Sequence, residues 1–149
     1  MTAALPAQTA RGRAVRVWRV AHESARYEGF PAGPYACSDT LPNEVNLTLS
    51  RMFEEHCNVE HPSPYADADL RGISAHERCG FDSREALDEW FSGFARVLSE
   101  CGFRVYTYDV PDFVSRVGRA GQTVFDQYEA IELDVEPLSL KPQQTALFA

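Results

Sequence analysis

Cys57, His61, His76 and Cys79 place two thiols and two imidazoles in the polar centre of the chain, as a C-x3-H pair followed by an H-x2-C pair. Zinc favours four tetrahedral sulfur and nitrogen ligands, so these are the residue types a closed zinc site needs, although their spacing fits no common zinc module. The plain alternative is loop histidines beside half-buried thiols. His76 and Cys79 are also the types of a base and a nucleophile, but adjacency in a loop does not supply the geometry that pair requires. A second polar set lies in Val15 to His22, VRVWRVAH, which reads as a strand. Alternation puts Arg19 on one face with Val15, Val17 and Ala21, and His22 on the other with Arg16, Trp18 and Val20. Arg19 and His22 either lie near a solvated strand end or project into a cleft. Asp67, Asp69, Glu85, Asp88 and Glu89 read as loop and helix-surface charge, and the chain has no Gly-rich phosphate loop or nucleophile elbow.

The elements that would position these groups are clearest between Cys79 and Val110. Asp82 is a suitable N-cap with Glu85 three residues on, which predicts a helix from Ser83. Ala86, Leu87, Trp90, Phe91, Phe94, Val97, Leu98 and Cys101 recur at three- and four-residue steps, one apolar stripe that faces a core. Gly102 stands where a left-handed C-cap is expected, and Phe103 to Val110 is a strand pattern stopped by Pro111. Tyr27 to Thr40 has turn chemistry throughout, with Phe30 and Tyr35 either lining a ligand site or pinning the loop. Asn43 to Glu55 predicts a helix, Cys57 to Cys79 a long loop, Val110 to Gly118 a connection, and Gln122 to Phe125 with Tyr128 to Val135 further strands. The fold class is α+β: a single domain with a mixed or antiparallel sheet and helices mainly on one face. Residues 1–14 read as a flexible leader, 15–137 as the domain and 138–149 as a flexible tail.

The chain has 149 residues, 44% of them hydrophobic, enough for a sizeable core. A formal charge of −8 argues against direct nucleic-acid binding. No run approaches a membrane span and no signal peptide is evident, so a cytoplasmic protein with reduced cysteines is expected.

Several short motifs follow one another along the chain: VWRVAH, GPY at Gly33 to Tyr35, HPSP at His61 to Pro64, CGF at Cys79 to Phe81, WF at Trp90 and Phe91, GFRVYTY and GQTVF. Over about Val17 to Asp126 this set resembles small proteins common in phages and prophages. Those proteins in turn look distantly like ADP-ribosyltransferases. That resemblance implies an ADP-ribosyltransferase-like fold, NAD as cofactor, Arg19, His22 and Gln122 as catalytic residues, and Arg19 with Tyr35 as cofactor contacts. The chain departs from the enzyme pattern in lacking a Glu-x-Glu and a Ser-Thr-Ser strand.

The last residues carry a second resemblance. Gln144-Thr145-Ala146-Leu147-Phe148 is similar to the Q-x-x-L-F peptide with which bacterial replication and repair proteins dock on the DNA sliding clamp. It implies Gln144 at the rim of an apolar cleft and Leu147 with Phe148 inside it. Two function classes therefore follow: a phage-type accessory protein using NAD, or a non-enzymatic interaction protein or inhibitor that binds a host factor, with the clamp as candidate.

Overall fold

A computed structural model describes residues 13–35, 41–56, 63–119 and 121–139. Along the chain the elements are β1 (Ala14–His22), β2 (Arg26–Tyr27), β3 (Phe30–Pro31), α1 (Asn43–His56), β4 (Glu77–Phe81), α2 (Arg84–Trp90), α3 (Ala95–Glu100), β5 (Phe103–Pro111), β6 (Ser115–Val117), β7 (Gln122–Asp126) and β8 (Ile131–Glu136). Short 3-10 turns occupy Pro64–Ala66, Ala68–Leu70 and Asp112–Val114. Six strands form one sheet in the order β6-β7-β4-β1-β5-β8, and β2 with β3 forms a separate hairpin. Every pairing is antiparallel, which resolves the expected mixed or antiparallel sheet.

Alternation along β1 separates two cores. On one face Val20 joins Phe81, Leu87, Trp90, Leu98 and Phe103, with Leu49 and Met52 of α1, to make the helix-covered layer. On the other, Val17 and Ala21 pack with Tyr106, Tyr108, Val110 and Phe125, and Phe30 from the hairpin closes over them. The helices thus lie on one face, as the apolar stripe implied.

The expected continuous helix from Ser83 is instead two. Ser83, not Asp82, is the N-cap: its hydroxyl accepts from the Ala86 N–H at 3.0 Å. Gly93 has φ +89°, a left-handed conformation that ends the first helix at little steric cost, and the chain restarts as α3. Trp90, Phe91 and Leu98 remain buried, so the stripe survives the break. Gly102 has φ +92° after α3, in the expected terminating position.

Three other expectations change. The end of the presumed loop up to Cys79 is strand β4, in which Gly80 is required because a Cβ there would stand 2.6 Å from Val17 Cγ1 and 2.7 Å from the Trp18 carbonyl oxygen. The connection after Val110 contains β6, which extends the sheet beside β7. Asp67 is buried, not surface charge: its carboxylate accepts from the N–H groups of Asp69 at 2.9 Å and Arg119 at 2.8 Å, tying the 63–70 turns to the approach to β7. Among the described residues, no helix is long and apolar enough to cross a membrane.

Gly80→Ala should lower stability by about 1–3 kcal/mol, the usual cost of overpacking a close contact. Urea unfolding should show a lower midpoint at unchanged slope; a wild-type midpoint would mean that β1 and β4 do not approach this closely.

Candidate functional site

β1 and β4 share a single registered pair, Trp18 with Phe81, and past it the two strands part. The residues Phe30 to Gly33 occupy the opening: the His22 N–H donates to the Ala32 carbonyl at 2.8 Å, and the Ala32 N–H donates to Ala25 at 3.0 Å. Arg19 spans what remains. Its Nη1 donates to the Cys79 carbonyl at 2.7 Å and its Nη2 to the Pro31 carbonyl at 3.1 Å. Its Cζ lies 5.6 Å from the centre of the Phe30 ring. Gly33 passes so near that a Cβ would stand 3.0 Å from Nη2. Burial lowers the Arg19 pKa, with the neighbouring Arg78 charge acting in the same direction.

Arg78 is held in the same manner. Its Nη1 donates to the carbonyls of Ala75 at 2.7 Å and Glu77 at 2.9 Å, and its guanidinium lies 5.6 Å from the Tyr27 ring centre. The hairpin therefore sets one aromatic over each arginine, Phe30 over Arg19 and Tyr27 over Arg78. Its turn is a two-residue one with left-handed Glu28 (φ +50°) and Gly29 (φ +83°). Beneath it the Tyr108 ring packs between Phe30, 5.4 Å away, and Phe125, 5.7 Å away. Among the described residues, three buried polar atoms on this side of the sheet have no hydrogen-bond partner: Arg19 Nε, Tyr108 Oη and Thr123 Oγ1.

The residues singled out in the sequence do not meet at one point. Partners across a sheet share a face, so Trp18, Phe81 and Gln122 lie together, and His22 follows by parity with Trp18. Arg19 lies on the opposite face, opposite Tyr106. His22 is committed to its own strand end: Nδ1 accepts from the Ala25 N–H at 2.8 Å, which leaves Nε2 to donate to the Cys101 carbonyl at 2.9 Å. It borders a shallow depression of about 480 Å³ with Leu41, Pro42 and Glu100, but both ring nitrogens are already engaged. Tyr35 is on the helix side, where its hydroxyl accepts from Trp90 Nε1 at 3.0 Å and its ring stacks on Phe91. Burial pushes its phenol pKa up, opposed only in part by that bond.

His76 is exposed at the entrance to β4, 3.8 Å from Asp126 and stacked on Tyr128. Burial raises the Cys79 thiol pKa despite the Arg19 charge, the opposite of an activated thiolate. Cys57 and His61 lie outside the described residues, and among the described residues no three His, Cys, Asp or Glu side chains gather as a metal site. Gln144, Leu147 and Phe148 also lie outside them. The last described segment is pinned: Leu138 is buried, and Arg84 bonds the Glu136 carboxylate at 2.9 Å and the Pro137 carbonyl at 3.3 Å. Sequence reasoning passed over Arg78, Tyr108 and Thr123. The alternation VYTY marked Tyr108 as facing one side of a strand, but nothing local marked the two arginines as neighbours.

A protein-family model described as Bacteriophage T4 Y00F protein matches residues 15–139 of the chain. No curated protein and no solved structure matches it.

Arg19→Ala would strand the Cys79 and Pro31 carbonyls inside the sheet, at about 1–3 kcal/mol for each unsatisfied group. The expected loss in urea unfolding is about 2–5 kcal/mol. Arg19→Lys should recover less than half of it, because one ammonium cannot reproduce the fork. Wild-type stability in either variant would mean that these two bonds do not hold the strands.

Proposed function

The chain belongs to the Bacteriophage T4 Y00F protein family, matched over most of its length, and on that premise we propose that it is a phage accessory protein that works by binding a host protein. The observation that carries this reading is the separation of Arg19 from His22 and Gln122 by the thickness of the sheet. Cleavage at a nicotinamide ribose requires polar groups preorganised around one anomeric carbon. Groups on opposite faces of a sheet cannot flank one carbon, and the hydrogen bonds of Arg19, His22 and Tyr35 go to main chain or to Trp90.

The named candidate partner is the bacterial sliding clamp, engaged through Gln144, Leu147 and Phe148. Two features support a contact at this end of the chain. Leu138 and Arg84 fix the chain just after β8. Beside it, edge strand β8 exposes Ile131, Leu133 and Val135, apolar side chains that a docked partner would cover.

Calorimetric titration of the full chain with purified clamp, and separately with NAD, tests this. Saturable clamp binding that falls at least about tenfold in Leu147→Ala/Phe148→Ala is expected, since losing an anchor pair costs about 2 kcal/mol or more, together with no heat from NAD. Saturable NAD binding with nicotinamide release would overturn the reading in favour of an ADP-ribosyltransferase-like enzyme. Clamp binding that persists in the double variant would remove the tail as the contact.

A further inference from the structure

We propose that the β2–β3 hairpin covers a binding site for a compact oxyanion, a phosphate group either free or carried on a small molecule, formed by Arg19, Arg78, Tyr108 and Thr123. This stands apart from the partner-binding reading, because it concerns the hairpin face of the sheet and not the end of the chain.

The first ground is charge. Arg19 and Arg78 are each only 8% exposed. In a chain with 22 acidic and 14 basic residues, neither guanidinium is bonded to a carboxylate among the described residues. Their partners are the carbonyls of Cys79, Pro31, Ala75, Glu77 and Tyr27, which orient a guanidinium but carry no formal charge. Buried cations normally lie against an anion, because removing them from water is expensive. Two of them under one hairpin, bonded only to neutral carbonyls among the described residues, call for a counter-ion.

The second ground is the unpaired atoms. Arg19 Nε, Tyr108 Oη and Thr123 Oγ1 are buried without partners among the described residues. Arg19 and Tyr108 flank the same Phe30 ring, at 5.6 Å and 5.4 Å. Thr123 shares the strand face of Phe125, whose ring meets Tyr108 and Phe30. Each of the three atoms can donate, and the unprotonated oxygens of a phosphate accept without donating, so an oxyanion satisfies all three kinds of group. A bound cation or an amide would not. The net charge of −8 disfavours an extended polyanion, which selects a small anion over nucleic acid.

The third ground is the cover. Each strand of the hairpin has two residues, and its turn is left-handed at Glu28 and Gly29. Tyr27 is 43% exposed although its ring stands over Arg78. This one small element sets a ring over each guanidinium, Phe30 over Arg19 and Tyr27 over Arg78.

Thermal unfolding of the full chain in sodium phosphate against sodium chloride, at equal pH and ionic strength, is the test. A general salting effect of phosphate rises steadily with concentration and acts on any variant. A site gives a saturable rise in Tm. Tyr108→Phe/Thr123→Val removes the two unpaired hydroxyls and leaves both arginines in place. Its Tm in chloride should be no lower than that of the wild type, and its saturable response to phosphate should be lost. Hydrogen exchange at the Tyr27 to Phe30 amides should slow in phosphate for the wild type, a readout that does not depend on the variant folding. Glycerol phosphate acting as strongly as phosphate would assign a carried phosphate group; a response to inorganic phosphate alone would assign the free ion. Equal Tm values in phosphate and chloride, or a saturable shift that the double variant retains, would overturn the proposal.

Discussion

The guanidinium of Arg19 bridges the line along which the sheet would otherwise part. β1 is paired with β5 at nine successive positions, from Ala14 to His22, but with β4 only at Trp18. In the strand ladder, the half made of β4, β7 and β6 is therefore joined to the half made of β1, β5 and β8 through one registered pair, reinforced by the Gly80 contact and the Arg19 bond to Cys79. The second arm of the same side chain reaches Pro31 and holds the hairpin in the opening. A planar fork with fixed N–H directions suits this task, because the two carbonyls come from segments that do not touch each other in the ladder. Helices α2 and α3 pack across the opposite face, where Leu87, Trp90 and Leu98 meet residues of both halves.

This arrangement restricts where activity can reside. Side chains that bind a reacting group must have hydrogen-bonding capacity to spare, and His22 has none: its ring closes the end of β1 against Ala25 and Cys101. Tyr35 secures its segment to Trp90 and Phe91. What is left is the set of unpaired donors under the hairpin and the edge of the sheet. The β8 edge has acidic side chains and a bulge opposite Thr107 and Tyr108, devices that discourage indiscriminate strand pairing, yet it keeps three apolar residues in solvent. Such an edge suits a selective protein contact better than a buried reaction chamber.

Elements governed by neighbours in sequence were legible. The strand after Gly102, the 43–56 helix and β1 all appear where periodicity and terminators put them. Parity along VRVWRVAH had already set Arg19 and His22 on opposite faces, while the distant enzyme resemblance grouped them. The side of the sheet taken by Gln122 depends on which strand β7 adjoins, and no local pattern carries that. Strand β4 was hidden for a related reason: RCGF contains a buried arginine and a glycine, and both are explained by residues far away in the chain, Tyr27 for one and Val17 for the other. The break at Gly93 escaped notice because the apolar stripe runs through it undisturbed.

The most direct measurement of the central claim is the nitrogen and proton NMR of the Arg19 side chain. If its fork bridges β4 and the hairpin, its two Nη groups should be inequivalent, slow to exchange with solvent, and coupled through hydrogen bonds to the carbonyl carbons of Cys79 and Pro31. One averaged, rapidly exchanging Nη signal would contradict the account, since a freely rotating guanidinium cannot hold the two halves of the sheet together.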